Sequence, residues 1–104
     1  MTTTTKTTTT SEELNLDEER KIFALHILGD KTRYKMFKLL MKNEEMCVSE
    51  IAAKLGVTTS AVSQHFRNFE IVGLVGKVRI GQKICYVLKF DDKLVKQLVD
   101  VANN

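Results

Sequence analysis

Apolar residues recur at helical spacing through the first two thirds of the chain and at alternate positions afterwards. Ile22, Leu25 and Leu28, with Phe23 and Ile27 beside them, predict a first helix over roughly Asp17 to Leu28, closed by Gly29. Asp30 is a natural N-cap for a second helix, in which Tyr34, Phe37, Leu40 and Met41 alternate with Lys35, Lys38 and Lys42. A short extended piece, Met46 to Val48, leads to Ser49 as the expected cap of a third helix ending at Leu55. Gly56 follows where a left-handed backbone suits glycine. Thr58 is the expected cap of a fourth helix over residues 59–72, with Val62, Phe66 and Phe69 at i, i+4 and i+7 as its buried stripe. After Gly73 the period becomes two. "LVGKVRI" and "KICYVLKF" flank Gly81-Gln82, a two-residue hairpin turn with glycine first. Ile84, Tyr86, Leu88 and Phe90 then share one strand face, and Cys85, Val87 and Lys89 the other. A last helix over Asp91 to Ala102 repeats Leu94, Val95, Leu98 and Val99.

This order predicts an α+β fold, mostly α, with a small three-stranded sheet. A short helix, a glycine turn and a second helix make a helix-turn-helix, and the hairpin behind it makes a wing. The exposed face of the fourth helix is unusual. A solvated helix normally carries Lys and Glu, yet this face carries Thr59, Ser60, Ser63 and Gln64. Such short groups both donate and accept hydrogen bonds, and Gln pairs bidentately with adenine in a major groove. Arg67 follows one turn on, within reach of a phosphate or guanine, and Lys77, Arg79, Gln82 and Lys83 ring the wing at residues 76–83. These nine residues are the candidate contacts to double-stranded DNA. Merely tolerated surface polarity is the plain alternative. A winged helix that binds protein instead would more often expose aromatics and methionine.

Charge supports an anionic partner. The 104-residue chain carries a formal +3, but Glu12 to Glu19 holds five acids and no base, whereas Met46 to Phe90 holds six bases against two acids. The opening "MTTTTKTTTTSEE" is low in complexity and lacks apolar residues after Met1, so residues 1–13 are expected to be a disordered tail and 14–104 the folded domain. That tail has no signal-peptide core, and no apolar run approaches the roughly 18–20 residues of a membrane span, so a cytoplasmic protein is expected. No cofactor loop, nucleophile elbow or paired carboxylates appear, which argues against an enzyme and implies no cofactor.

The segments "LGDKTRYKMFKLL", "MCVSEIAAKLGVTTSAVSQHFRNFEIVGLV" and "GQKICYVLKF" resemble the ArsR-type (ArsR/SmtB) winged helix-turn-helix transcriptional regulators, over about 65 positions. The resemblance implies a homodimer built from the first and last helices, acting as a repressor on an operator. It places Thr59, Ser60, Ser63 and Gln64 at the DNA surface, and two-fold symmetry puts the two reading helices roughly 34 Å apart. Three positions depart from the pattern. Lys31 stands where the family has proline, and Glu70 where a base is common. The metal-sensing "CVC" is "CVS" here, with Ser49 replacing the second thiolate, and the last helix holds no histidine.

A tetrahedral zinc site takes about four ligands, and Cys47, Cys85, His26 and His65 are the sulfur and imidazole inventory. His26 reads as a helix-packing residue; His65 either orients the reading helix or touches DNA. No metal site is expected. Cys47 and Cys85 leave two readings open. Both are small structural residues in one, and in the other they form a thiol-redox or sulfur-responsive pair on a shared outer sheet face. Glu44, Glu45 and Glu50 disfavour a thiolate at Cys47. A small-molecule or redox effector is compatible with the sequence, which does not identify one.

Overall fold

The structure, a computed structural model, describes residues 13–103; the threonine-rich tail expected over 1–13 lies outside them except for Glu13. Among the described residues the order is α1 (Leu16–Leu28), α2 (Lys31–Lys42), β1 (Met46–Cys47), α3 (Val48–Leu55), α4 (Thr59–Ile71), β2 (Val75–Ile80), β3 (Lys83–Leu88) and α5 (Lys93–Asn103). The sheet is antiparallel in the order β1-β3-β2. Ile80 opposite Lys83 leaves Gly81-Gln82 as the turn, with Gly81 at φ 62°. The hairpin register is therefore the one the alternation predicts.

Local chemistry sets the helix starts. Asn15 accepts from the backbone N–H of Glu18, Asp30 from Arg33 and Thr58 from Ala61. Each satisfies a donor with no partner inside the helix. The third helix corrects the expectation. It begins at Val48 with Cys47 as its cap, because the Glu50 carboxylate accepts the Cys47 backbone N–H at 2.8 Å. Ser49 is thus inside the helix, and the strand before it stops at Cys47. Gly56 ends α3 at φ 67° as expected.

Phe37, Phe66, Phe69, Met36, Leu40, Ile51, Val62 and Leu74 are fully buried and form the centre of the core. Phe66 stacks on Tyr86 at 3.9 Å between ring centroids and meets Phe69 at 6.0 Å, which fastens α4 to the sheet. The first helix turns a different face inward from the one the period suggests. Ala24 and Ile27 are buried, whereas Ile22 and Leu25 are 51% and 61% exposed. His26 is exposed as well, so it is not a packing residue in this chain. Phe90 lies beyond the end of β3 and is also exposed, so it does not extend the inner strand face.

Arg20 joins three elements. Its Nε donates to the carbonyl of Val72 at 2.9 Å, and its Nη2 donates to Gly73 and to Asp92 Oδ2 at 3.3 and 3.0 Å. Asp92 also accepts from the N–H groups of Leu94 and Val95, capping α5. Burial pushes the Asp92 carboxyl up, but the Arg20 hydrogen bond, the two backbone donors and the guanidinium charge outweigh it and hold the group below its ordinary 3.8. A carboxylate with a depressed folded pKa contributes stability that is complete above its unfolded pKa and lost as pH falls through the folded one. Asp92→Asn is therefore expected to flatten the acid limb of stability below roughly pH 4, read as the urea midpoint against pH. An unchanged limb would mean that the Arg20–Asp92 pair is not held in solution.

Candidate nucleic-acid interface

The helix α4 and the wing enclose an open groove of about 440 Å³. The apolar stripe Val62, Phe66, Phe69 faces the core, which leaves Thr59, Ser60, Ser63, Gln64 and Arg67 exposed on the other side. Alternation along the hairpin exposes Lys77, Arg79, Gln82 and Lys83. Six of the nine candidate residues line the one groove: Thr59, Ser63 and Arg67 from the helix, Lys77, Gln82 and Lys83 from the wing. Ser60, Gln64 and Arg79 are exposed but stand outside it. The helix thus presents two flanks, one turned to the wing and one turned away.

Glu70, the acid at an often basic position, is occupied locally. Its carboxylate pairs with Lys77 Nζ at 3.8 Å and accepts from the Tyr86 hydroxyl at 3.5 Å. Burial, and then the Glu70 charge, push the Tyr86 phenol above its ordinary 10.0, so it stays a neutral donor. The Lys77 ammonium also lies 6.0 Å from the centroid of the Tyr86 ring. Together these contacts connect the end of α4 to the middle of both wing strands. Alternation put Tyr86 on the inner face, but nothing in the sequence paired it with Glu70 across 16 positions.

Behind α4, Arg33 Nε donates to the carbonyl of Ile27 at 2.7 Å and its Nη1 lies 3.3 Å from His65 Nδ1. The contact ties α4 to the first turn of α2. Arg33 was not singled out from the sequence; its place inside "GDKTR" was the available signal.

Cys47 and Cys85 face each other in the β1–β3 ladder and are joined by a disulfide. They do not lie on an open outer face: Cys85 is fully buried and Cys47 is 7% exposed, reached through the floor of the groove. Among the described residues no group of three or more His, Cys, Asp or Glu converges as a metal site would require. No described helix is long and apolar enough to cross a membrane.

A helix-turn-helix with a hairpin wing, and a polar face of α4 facing basic wing residues, define a winged helix-turn-helix domain. Residues 30–77 match the family described as "Bacterial regulatory protein, arsR family". The chain belongs to that family. It is 35% identical over 75 residues to a cadmium resistance transcriptional regulatory protein CadC homolog of Staphylococcus aureus, covering 72% of this chain and 60% of that one. The chain thus spans little more than half the length of that curated relative. A solved "possible transcriptional regulator for arsenical resistance" is 30% identical, with a TM-score of 0.60, over 74% of this chain and 80% of its own. HlyU from Vibrio cholerae N16961 shares the fold with a TM-score of 0.74 at 24% identity, over 85% of this chain and 92% of that one.

Proposed function

We propose that this chain is a sequence-specific DNA-binding repressor that acts as a homodimer. One observation carries the reading: Thr59, Ser63 and Arg67 of α4 share a groove with Lys77, Gln82 and Lys83 of the wing. Small polar groups suit base edges and the wing bases suit phosphates. The other flank of α4, with Ser60 and Gln64, extends the readable face. Dimerisation through α1 and α5 is supported by their exposed apolar residues, Ile22 and Leu25 on α1 and Val101, 71% exposed, on α5. Two-fold symmetry then sets two α4 helices on successive major grooves.

The test begins with duplexes selected from a random pool. On the selected site, Gln64→Ala is expected to cost about 1–3 kcal/mol and to relax the preference at one base pair, measured by fluorescence titration. Lys83→Ala is expected to weaken all sequences alike and to reduce the magnitude of the salt slope by about one. If both variants bind as the wild type does, the proposed docking is wrong. If no duplex is retained at any salt concentration, the alternative of a protein-binding winged helix takes its place.

A second reading, repression that responds to thiol redox state, is favoured by the bond between Cys47 and Cys85, since Cys47 caps α3 and Cys85 sits in the wing. It expects operator affinity to differ between oxidised protein and protein reduced with dithiothreitol, and the difference to vanish in Cys47→Ser. Equal affinity in all four samples would retire it.

A further inference from the structure

Helix α2 carries Lys31, Arg33, Lys35, Lys38 and Lys42 and no acid. The four lysines recur every three or four residues, so they form a single stripe about 16 Å long. Lys38 Nζ donates to the carbonyl of Ala102 at 2.8 Å, but among the described residues none of the four has an acidic partner. Lys31 and Arg33 also sit in the first turn, where the helix dipole disfavours cations. Beneath the stripe lies a groove of about 470 Å³, lined by the lysine stems with Tyr34, Leu39 and Leu55. It shares no residue with the groove between α4 and the wing. An apolar floor under a cationic rim calls for an acidic segment that also presents aliphatic side chains.

The chain contains such a segment. Glu13, Asp17 and Glu19 have no cationic partner among the described residues, whereas Glu18 is held by Lys21 at 3.2 Å. Between these acids stand Leu14, 49% exposed, and Leu16, 88% exposed. In its own chain Leu16 is left almost wholly exposed and Leu14 half so. A nucleic-acid backbone would satisfy the lysines but gives Tyr34, Leu39 and Leu55 nothing apolar to pack against.

We propose that residues 13–19 of one protomer lie in the α2 groove of the other, an inference that rests on the dimer reading above. Leu14 and Leu16 pack on Tyr34, Leu39 and Leu55, and the free carboxylates meet the lysine rim. Two-fold symmetry makes the contact twice, once in each direction.

The test mixes uniformly 15N-labelled and unlabelled full-length chain, adds a zero-length carbodiimide cross-linker and identifies linked peptides by mass spectrometry. Mixed-isotope links between the carboxylates of residues 13–19 and Lys35, Lys38 or Lys42 are expected. Links of this type within single-isotope species only would overturn the proposal. In sedimentation equilibrium, the double variant Lys35→Glu with Lys42→Glu is expected to raise the dimer Kd about tenfold, as several exposed ion pairs acting together would. Adding Asp17→Lys and Glu19→Lys to the same chain is expected to restore it, which a misfolded variant would not show. A dimer indifferent to both sets overturns the proposal and leaves the dimer reading intact. A chain monomeric at all concentrations overturns both. Lysine variants that weaken DNA binding while the dimer Kd stays constant would assign the groove to DNA and overturn the proposal.

Discussion

Reducing the disulfide between Cys47 and Cys85 is expected to lower the unfolding free energy by about 3–4 kcal/mol. The bond closes a loop with a sequence separation of 38, and loop-closure entropy of the unfolded chain gives a value of that size. The loop contains α3, α4 and β2, so the bond restricts the whole helix-turn-helix and the first wing strand in the unfolded ensemble. Urea titrations with and without dithiothreitol measure the difference, and Cys85→Ala should abolish it. Coinciding midpoints for the wild type would show that the bond contributes no stability. The result also separates two roles: a bond that serves stability alone leaves operator affinity unchanged on reduction, provided the protein remains folded.

Phe66→Ala is expected to be the most destabilising single substitution in α4, at about 3–5 kcal/mol. Phe66 is fully buried, stacked on Tyr86 and packed against Phe69, so truncation removes a ring and leaves a cavity between helix and sheet. Its neighbour Gln64 is exposed and should change stability by no more than about 0.5 kcal/mol. Together the two variants divide α4 into a face that folds and a face that reads. Denaturation midpoints and DNA titrations on the same samples would check this. A Phe66→Ala chain as stable as the wild type would mean that the stack with Tyr86 does not anchor the helix.

Much of this arrangement was legible in the residues, and the exceptions have physical causes. The change of period at Gly73 and the Gly81-Gln82 turn set the hairpin register, because alternation leaves one pairing that keeps Tyr86 and Leu88 inside. The polar face of α4 was legible for the same reason, since Val62, Phe66 and Phe69 fix which side is buried. Ser49 misled because serine is a better cap than cysteine on average, while the Glu50 carboxylate had already bound the Cys47 backbone N–H. Ile22 and Leu25 misled in another way. Periodicity reports that a face is apolar and does not say whether this chain or another covers it. The cysteines followed from strand alternation as far as their sharing a face; that this face is buried at Cys85 depends on tertiary contacts no period encodes.

The guanidinium of Arg20 carries a consequence for how operators are chosen. It grips the C-terminal end of α4 through Val72 and Gly73 just beyond it and the start of α5 through Asp92, from a helix whose outer side faces a second protomer in the proposed dimer. In the proposed dimer, two α4 helices mounted this way would keep a fixed separation and twist, like the jaws of a rigid caliper. Such a gauge would accept one distance between half-sites and reject an inserted base pair, which would displace one jaw by about 3.4 Å and rotate it about the duplex axis. Loosening Arg20 would trade that selectivity for tolerance. Spacing preference would then belong to a residue outside the proposed DNA-contacting set.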